Sequence, residues 1–228
     1  MVAQAQEYYK SKANNYKLFL CPGGVHQSII DFVGKEKTVL DVGCATGYLG
    51  AELKKNNNKV FGIEISDVAA QSAKKVLDHV IIGNIEDIVL PYSEKQFDVI
   101  VCADVLEHLF QPIKILKKLH KYIKDDGLLI VSLPNIAHWS IRFKLLLGRF
   151  NYEESGLLDD GHIRFFTFNS AVRMIISAGY KIEKYDVFIS LPKGLNKLVY
   201  YLKMDKIFKR FFKEMFGNQF LFLLKKDN

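Results

Sequence analysis

The stretch from Thr38 to Gly50, TVLDVGCATGYLG, constrains the fold more than any other part of the chain. The apolar run Val39 to Val42 reads as a buried parallel strand that breaks at Gly43 and Gly47 before a helix-forming tail. Such a turn lets a ligand lie against bare backbone, because glycine has no side chain to hold it off and takes positive φ. About twenty residues on, Val60-Phe61-Gly62-Ile63-Glu64 is a second apolar strand that ends in a carboxylate. Glu64 stands where an acid would grip ribose hydroxyls in an open α/β sheet.

The spacing separates two ligand classes. A dinucleotide turn has the pattern G-x-G-x-x-G and seats a pyrophosphate on a helix N-terminus. Here Gly43 and Gly47 frame three residues and Asp41 sits in the strand end. An acid beside the loop suits a cationic ligand, and Asp41-x-Gly43-x-x-x-Gly47 with Glu64 resembles the cofactor site of class I S-adenosylmethionine-dependent methyltransferases. The resemblance implies an α/β fold with a Rossmann-like, doubly wound seven-stranded sheet, mostly parallel with an antiparallel C-terminal hairpin strand. It implies S-adenosylmethionine as cofactor and S-adenosylhomocysteine as product. It places the cofactor on Asp41, Gly43, Cys44, Ala45, Gly47, Glu64, Ile65, Asn84, Ile85 and Ala103. The family usually carries an acid after the glycine that ends strand three, and this chain has Asn84 there. Asn84 can accept from an adenine amino group and Ile85 can pack on the ring, with Glu86 as the alternative polar partner.

A chain of 228 residues, 49% of them hydrophobic, is long enough for a sizeable core and reads as one domain over 1–228. From Lys193 to Asn228 nine Lys or Arg face three acids, a net of +6 out of +7 for the whole chain. The basic character therefore belongs to the C-terminal segment, and a nucleic-acid interface spread over the main body is not expected. Cys21, Cys44 and Cys102 have no paired metal spacing and read as free thiols of a reducing compartment. The polar start and the lack of any run of membrane-spanning length make a cytoplasmic location the expectation.

Along the chain, residues 1–33 form an N-terminal segment in which Tyr8, Tyr9 and Tyr16 are candidates for a lid over the cofactor, with packing as the plainer role. Helices are expected over about Tyr48 to Asn56, from Asp67 to Leu77, over Ile113 to Ile123 and over Asn169 to Ala178. His79 to Gly83, Phe97 to Ala103, Leu128 to Ser132, Tyr180 to Phe188 and Gln219 to Leu224 read as strands, with a turn at Asp125-Asp126-Gly127. Alternation of strand and helix at this regularity points to a parallel sheet.

Ligands of open α/β sheets sit beyond the carboxyl ends of the strands, so the segments after strands four and five matter most. Methyl transfer from a sulfonium is an in-line displacement, for which the protein aligns the acceptor and helps deprotonate it. His162 is the first candidate for that proton transfer and His108 the second, each against a plain structural role. His138 and Trp139 would wall the pocket, and Arg164 would hold an anionic substrate or pair with Asp159 or Asp160. No metal is expected, but Asp104-x-x-Glu107-His108 resembles the E-x-x-E-H site of ubiquinone-pathway and small-RNA methyltransferases. Asp104, Glu107 and His108, with His162 as a further donor, are thus an alternative divalent-cation set.

The stretches Leu133 to Trp139, Leu147 to Phe150 and Asp160 to Thr167 are also similar to bacterial methyltransferases found with glycosyltransferases of surface-polysaccharide synthesis. That likeness implies a small-molecule acceptor, a sugar or a lipid-linked hydroxyl. An RNA methyltransferase or a catalytically silent partner protein are the competing readings. The insert 191–216 has Leu195, Leu198, Leu202, Ile207, Phe208, Phe211 and Met215 at helical spacing among lysines. It suits a helix packed on the core, a pocket cap, the face of a homodimer, or peripheral membrane contact; the chain is read as a monomer or homodimer.

Overall fold

A computed structural model describes residues 23–192, 199 and 205–227. Tyr8, Tyr9, Tyr16 and Cys21 lie outside them, as do Leu195, Leu198 and Leu202. The described residues open with α1 (Val25–Val33) and then alternate β1 (Thr38–Val42), α2 (Tyr48–Lys54), β2 (Lys59–Glu64), α3 (Asp67–Ala73) and β3 (His79–Ile82). There follow β4 (Phe97–Ala103), a 3₁₀ turn (Leu106–His108), α4 (Pro112–His120), β5 (Ile123–Pro134), α5 (Trp139–Leu146) and α6 (Phe168–Ser177). The chain ends with β6 (Tyr180–Ile189), α7 (Asp205–Phe211), α8 (Lys213–Phe216) and β7 (Gly217–Lys226).

The seven strands form one sheet in the order β3-β2-β1-β4-β5-β7-β6. β1 pairs in parallel with both β2 and β4, and β7 runs antiparallel between β5 and β6. The sheet is buried on both faces, and side chains alternate between two cores. Leu40, Ile100, Val131 and Phe222 enter one core, while Val39, Val101, Ile130 and Leu221 enter the other. This two-sided burial is why the strands read as unbroken apolar runs rather than alternating ones.

Local chemistry sets the element ends. Ser66, not Asp67, is the N-cap of α3, with its side chain accepting from the Ala69 N–H; Asp67 is a first-turn acid. Thr167 and Ser170 form a reciprocal capping box that starts α6. The helix expected over Ile113 to Ile123 stops at His120, and β5 begins at Ile123. The expected turn at Asp125 to Gly127 is a bulge within β5, where Phe97 pairs with Ile123 and Val99 already pairs with Leu128. α5 follows β5 with no counterpart in the sequence reading. The expected single helix of the insert is, in its described part, two short helices broken at Phe212.

Candidate active site

The strand order reverses between β1 and β4, so the loops after these strands diverge and open a crevice at the carboxyl ends. A cavity of about 770 Å³ occupies it. Of the residues singled out from the sequence, Gly43, Ala45, Glu64, Ile65, Asn84, Ile85, Ala103, Asp104, Glu107, His108 and His162 line that one space. Asp41, Cys44 and Gly47 do not.

Gly43 and Gly47 have φ of 72° and 82°, and Ala45 between them has φ 47°. A side chain at Gly43 would also strike Val105 Cγ2 at 2.6 Å. The loop is held from below: the Gly43 and Cys44 N–H groups both donate to the Ile63 carbonyl, at 2.8 and 3.0 Å. Cys44 turns down into the core, where its Sγ would lie 2.6 Å from a Cβ on Gly62. Its side chain packs the loop onto β2, and burial pushes its thiol up out of any reactive range.

Glu64 ends β2 with both oxygens engaged. Oε2 accepts from the Ala45 N–H at 2.9 Å and Oε1 from the Ser66 N–H at 2.7 Å. Burial raises its pKa while those N–H groups oppose the rise. Asp41 is fully buried and its Oδ2 has no hydrogen-bond partner. Desolvation first, and the Glu64 charge second, push its pKa up to about 7. Two acids are thus gathered under the loop, with no ion pair to either among the described residues. A cationic ligand over the loop matches this pair of acids.

On the next wall the Asn84 Oδ1 accepts from the Glu86 N–H at 3.0 Å, and its Nδ2 donates to Asp87 at 3.0 Å. The Glu86 carboxylate accepts from the Phe110 and Gln111 N–H groups at 3.2 and 2.8 Å, capping α4 from outside. Lys118 does not face water with its lysine neighbours: its Nζ donates to the carbonyls of Ile85, at 2.8 Å, and of Ile88.

Across the cavity stand Glu107 and His108, adjacent in the chain, and His162, which the fold brings to them from a distant loop. The Ile163 and Arg164 N–H groups donate to the Glu107 carbonyl at 3.0 and 2.9 Å, and this fixes the His162 loop over the 3₁₀ turn. His108 Nδ1 lies 2.9 Å from the Gly161 carbonyl, so that nitrogen is the N–H donor and Nε2 carries the lone pair. His162 Nε2 lies 4.0 Å from Glu107 Oε1, and the two imidazole centroids are 4.8 Å apart. Glu107 is fully buried and neither of its oxygens has a hydrogen-bond partner. Burial, then Asp104, raises its pKa well above the carboxylate range. The donor atoms of these three residues lie within 4.8 Å of one another.

Asp104 is not in that group, which corrects the cation set read from the sequence. Its oxygens accept from Gln219 Nε2 at 2.6 and 2.7 Å and from Ser132 Oγ at 2.8 Å. Arg164 donates to the Phe110 carbonyl at 2.7 Å and not to Asp159 or Asp160. His138 and Trp139 are not pocket walls: their Nε2 and Nε1 both reach the Ser190 carbonyl at 2.9 Å. Sequence reasoning missed Gln219, Asn218, Ser66 and His26, which also line the cavity. Only Ser66, as an N-cap before an apolar helix, had a local signal.

A glycine loop after β1, an acid closing β2 and a crevice at the β1/β4 reversal define the class I S-adenosylmethionine-dependent methyltransferase fold. A family model described as a methyltransferase domain matches residues 23–185, and the chain belongs to that family. It is similar to the ubiquinone biosynthesis O-methyltransferase of Histophilus somni, 36% identical over 111 residues that make up 44% of this chain and 46% of the relative. The mitochondrial ubiquinone biosynthesis O-methyltransferase of Schizosaccharomyces pombe is 35% identical over 102 residues, 42% of this chain and 37% of the relative. These matches span less than half the length of either relative. A SAM-dependent methyltransferase of Thermotoga maritima superposes with a TM-score of 0.62 at 20% identity, covering 88% of this chain and 87% of that one. One from Archaeoglobus fulgidus gives 0.62 at 14% identity over 90% and 96%. At such identities the likeness is one of fold.

Proposed function

We propose that the protein moves the methyl group of S-adenosylmethionine to a hydroxyl of a small-molecule acceptor. The observation that carries this reading is that the acid-floored glycine loop and the Glu107–His108–His162 group open into one cavity. The named activity of the ubiquinone biosynthesis relatives favours oxygen as the methylated atom. A sugar or lipid-linked acceptor fits a cavity of this size.

In this reading Asp41 and Glu64 provide the negative field for the sulfonium, Gly43 and Ala45 give backbone approach, and Ile85 packs on the adenine. Because both Glu64 oxygens already accept from backbone, binding of ribose hydroxyls shares or replaces those two bonds. Bound S-adenosylmethionine supplies the electrophilic methyl. His162 Nε2 would receive the acceptor proton as the methyl passes from sulfur to the acceptor oxygen, with the Leu157 carbonyl facing His162 Nδ1, Glu107 closing the buried side of the ring and His108 orienting the acceptor. Calorimetry with S-adenosylmethionine tests the donor half, and wild-type affinity in Glu64→Ala would refute the ribose assignment. His162→Ala should lose about 10²-fold or more in turnover with donor affinity kept; full turnover removes His162 from the mechanism.

A second reading is favoured by the two orphaned oxygens of Glu107. Glu107, His108 and His162 form a donor set that would hold a divalent cation, which would lower the pKa of the acceptor hydroxyl in place of a direct base. Calorimetry with Zn²⁺, Mn²⁺ or Mg²⁺ alone, on the wild type and on Glu107→Gln, separates the two. Heat of binding absent from both proteins leaves the direct base.

A further inference from the structure

The site leaves α5 and the turn beyond it unexplained. α5 buries one side chain, Ile141. Phe143, Leu145, Leu146 and Leu147 are exposed, Leu146 at 81%, and Phe150 and Tyr152 continue the apolar surface. A helix that merely covered a core would turn such residues inward. The stretch Trp139 to Tyr152 also carries Arg142, Lys144 and Arg149 with no acid among them.

A second surface of the same kind adjoins it. On α7 and α8, Ile207, Phe211, Phe212 and Met215 are exposed beside Lys209 and Arg210, while Lys213 turns onto the Phe168 ring and the same two helices also carry Asp205 and Glu214. The two surfaces are joined by hydrogen bonds. His138 and Trp139, at the start of α5, hold the Ser190 carbonyl, and the Ser190 N–H donates to the Phe216 carbonyl at 2.8 Å. Asn135 Nδ2 donates to the Glu214 and Gly217 carbonyls at 3.0 and 2.7 Å. This junction lies at the carboxyl ends of β5 and β6, on the side where Pro134, Asn218 and Gln219 line the cavity. Lys144 and Lys209 hold ion pairs with Glu153 and Asp186, whereas Arg149 and Arg210 stand exposed. No described helix is long and apolar enough to cross a membrane.

We propose that α5, its following turn and α7–α8 form one face that lies on an anionic bilayer surface, with the cavity mouth beside it, so that a lipid-anchored acceptor comes within reach. Exposed leucine and phenylalanine side chains beside the exposed Arg142, Arg149 and Arg210, which hold no ion pair among the described residues, are the chemistry that partitions into a headgroup layer, where the cations meet lipid phosphates. The statement about the acceptor rests on the function proposed above; the docking itself does not.

The test is vesicle flotation of the full chain, with phosphatidylcholine alone and with added phosphatidylglycerol, at low and high salt. The chain should float with the anionic vesicles and be weakened by salt. Phe143→Ser/Leu146→Ser and, separately, Phe211→Ser should each reduce partitioning by about tenfold, while melting temperature and S-adenosylmethionine affinity stay at wild-type values. Hydrogen exchange with vesicles present should slow over 139–152, 205–216 and the mouth loop 155–163. No flotation, or flotation untouched by both variants, overturns the proposal. A dimer in sedimentation velocity that Phe143→Ser/Leu146→Ser dissolves, without vesicle binding, overturns it in favour of a second copy. Slowed exchange away from the mouth loop overturns the orientation. Flotation in a chain that fails to bind S-adenosylmethionine would instead refute the methyltransfer reading and leave the docking standing.

Discussion

Asp41 concentrates the conflict between folding and function in one side chain. Its carboxyl is buried without a partner for Oδ2 and titrates near 7 in the folded chain, against 3.8 for the free group. Between those values the folded state keeps a proton that the unfolded state releases, so stability falls as pH rises through that window and is flat above it. Asp41→Asn should remove its share of that slope, leaving the parts due to Glu64 and Glu107, and add on the order of a few kcal/mol at pH above 7, at about 1.4 kcal/mol per pKa unit. The same change should weaken S-adenosylmethionine binding, because one of the two acids under the loop can no longer ionise. Thermal melts across the pH range, paired with calorimetry, check both. Gly43→Ala carries two penalties, positive φ and the approach to Val105 Cγ2. It should cost roughly 1–3 kcal/mol and loosen the cofactor loop, read by a lower melting temperature and weaker donor binding.

Elements are joined by side chains whose partners the sequence did not show. Glu86 caps α4 from the β3–β4 loop, and Lys118 of α4 returns two hydrogen bonds to the carbonyls of that loop. The clamp fixes the wall that bears Asn84 and Ile85. Lys118→Met should therefore raise the dissociation constant for S-adenosylmethionine by about tenfold, or about 1.4 kcal/mol, with turnover at saturation little changed. A helix that only needed a solvated lysine there would show no loss in calorimetry. Thr167→Ala removes one half of the α6 capping box and should cost about 0.5–2 kcal/mol without altering the cavity, which is a check that melting and activity can be separated.

For the whole molecule, β7 decides whether the sheet closes. It lies between β5 and β6, sends Phe220 and Phe222 into one core and Leu221 into the other, and brings Gln219 to Asp104. A chain ending at Phe216 should lose cooperative thermal unfolding, since β6 would have no neighbour and both cores would open. Circular dichroism and calorimetric melts would show a broad, low-enthalpy transition in place of a single sharp one.

The order of strands and helices, the glycine loop and the carboxylate after β2 were legible in sequence because each is a local pattern: an apolar run, a φ requirement, a fixed spacing. So were His108 and His162 as candidates, from their places after strand ends. Which donors meet was not legible. Asp104 and Glu107 are three apart, yet positive φ at Asp104 turns it to Ser132 and Gln219 while Glu107 faces His162. The roles of Lys118, Glu86, His138 and Arg164 likewise follow from partners 24 to 54 residues away. The sequence by itself determined the fold class and the pair of acids under the glycine loop, since both arise from local strand, turn and helix patterns repeated at short spacing. Only the tertiary structure decided the buried trio, the clamp and the joined apolar face. These depend on which distant backbone groups satisfy each buried polar atom, and that choice is made when the layers pack.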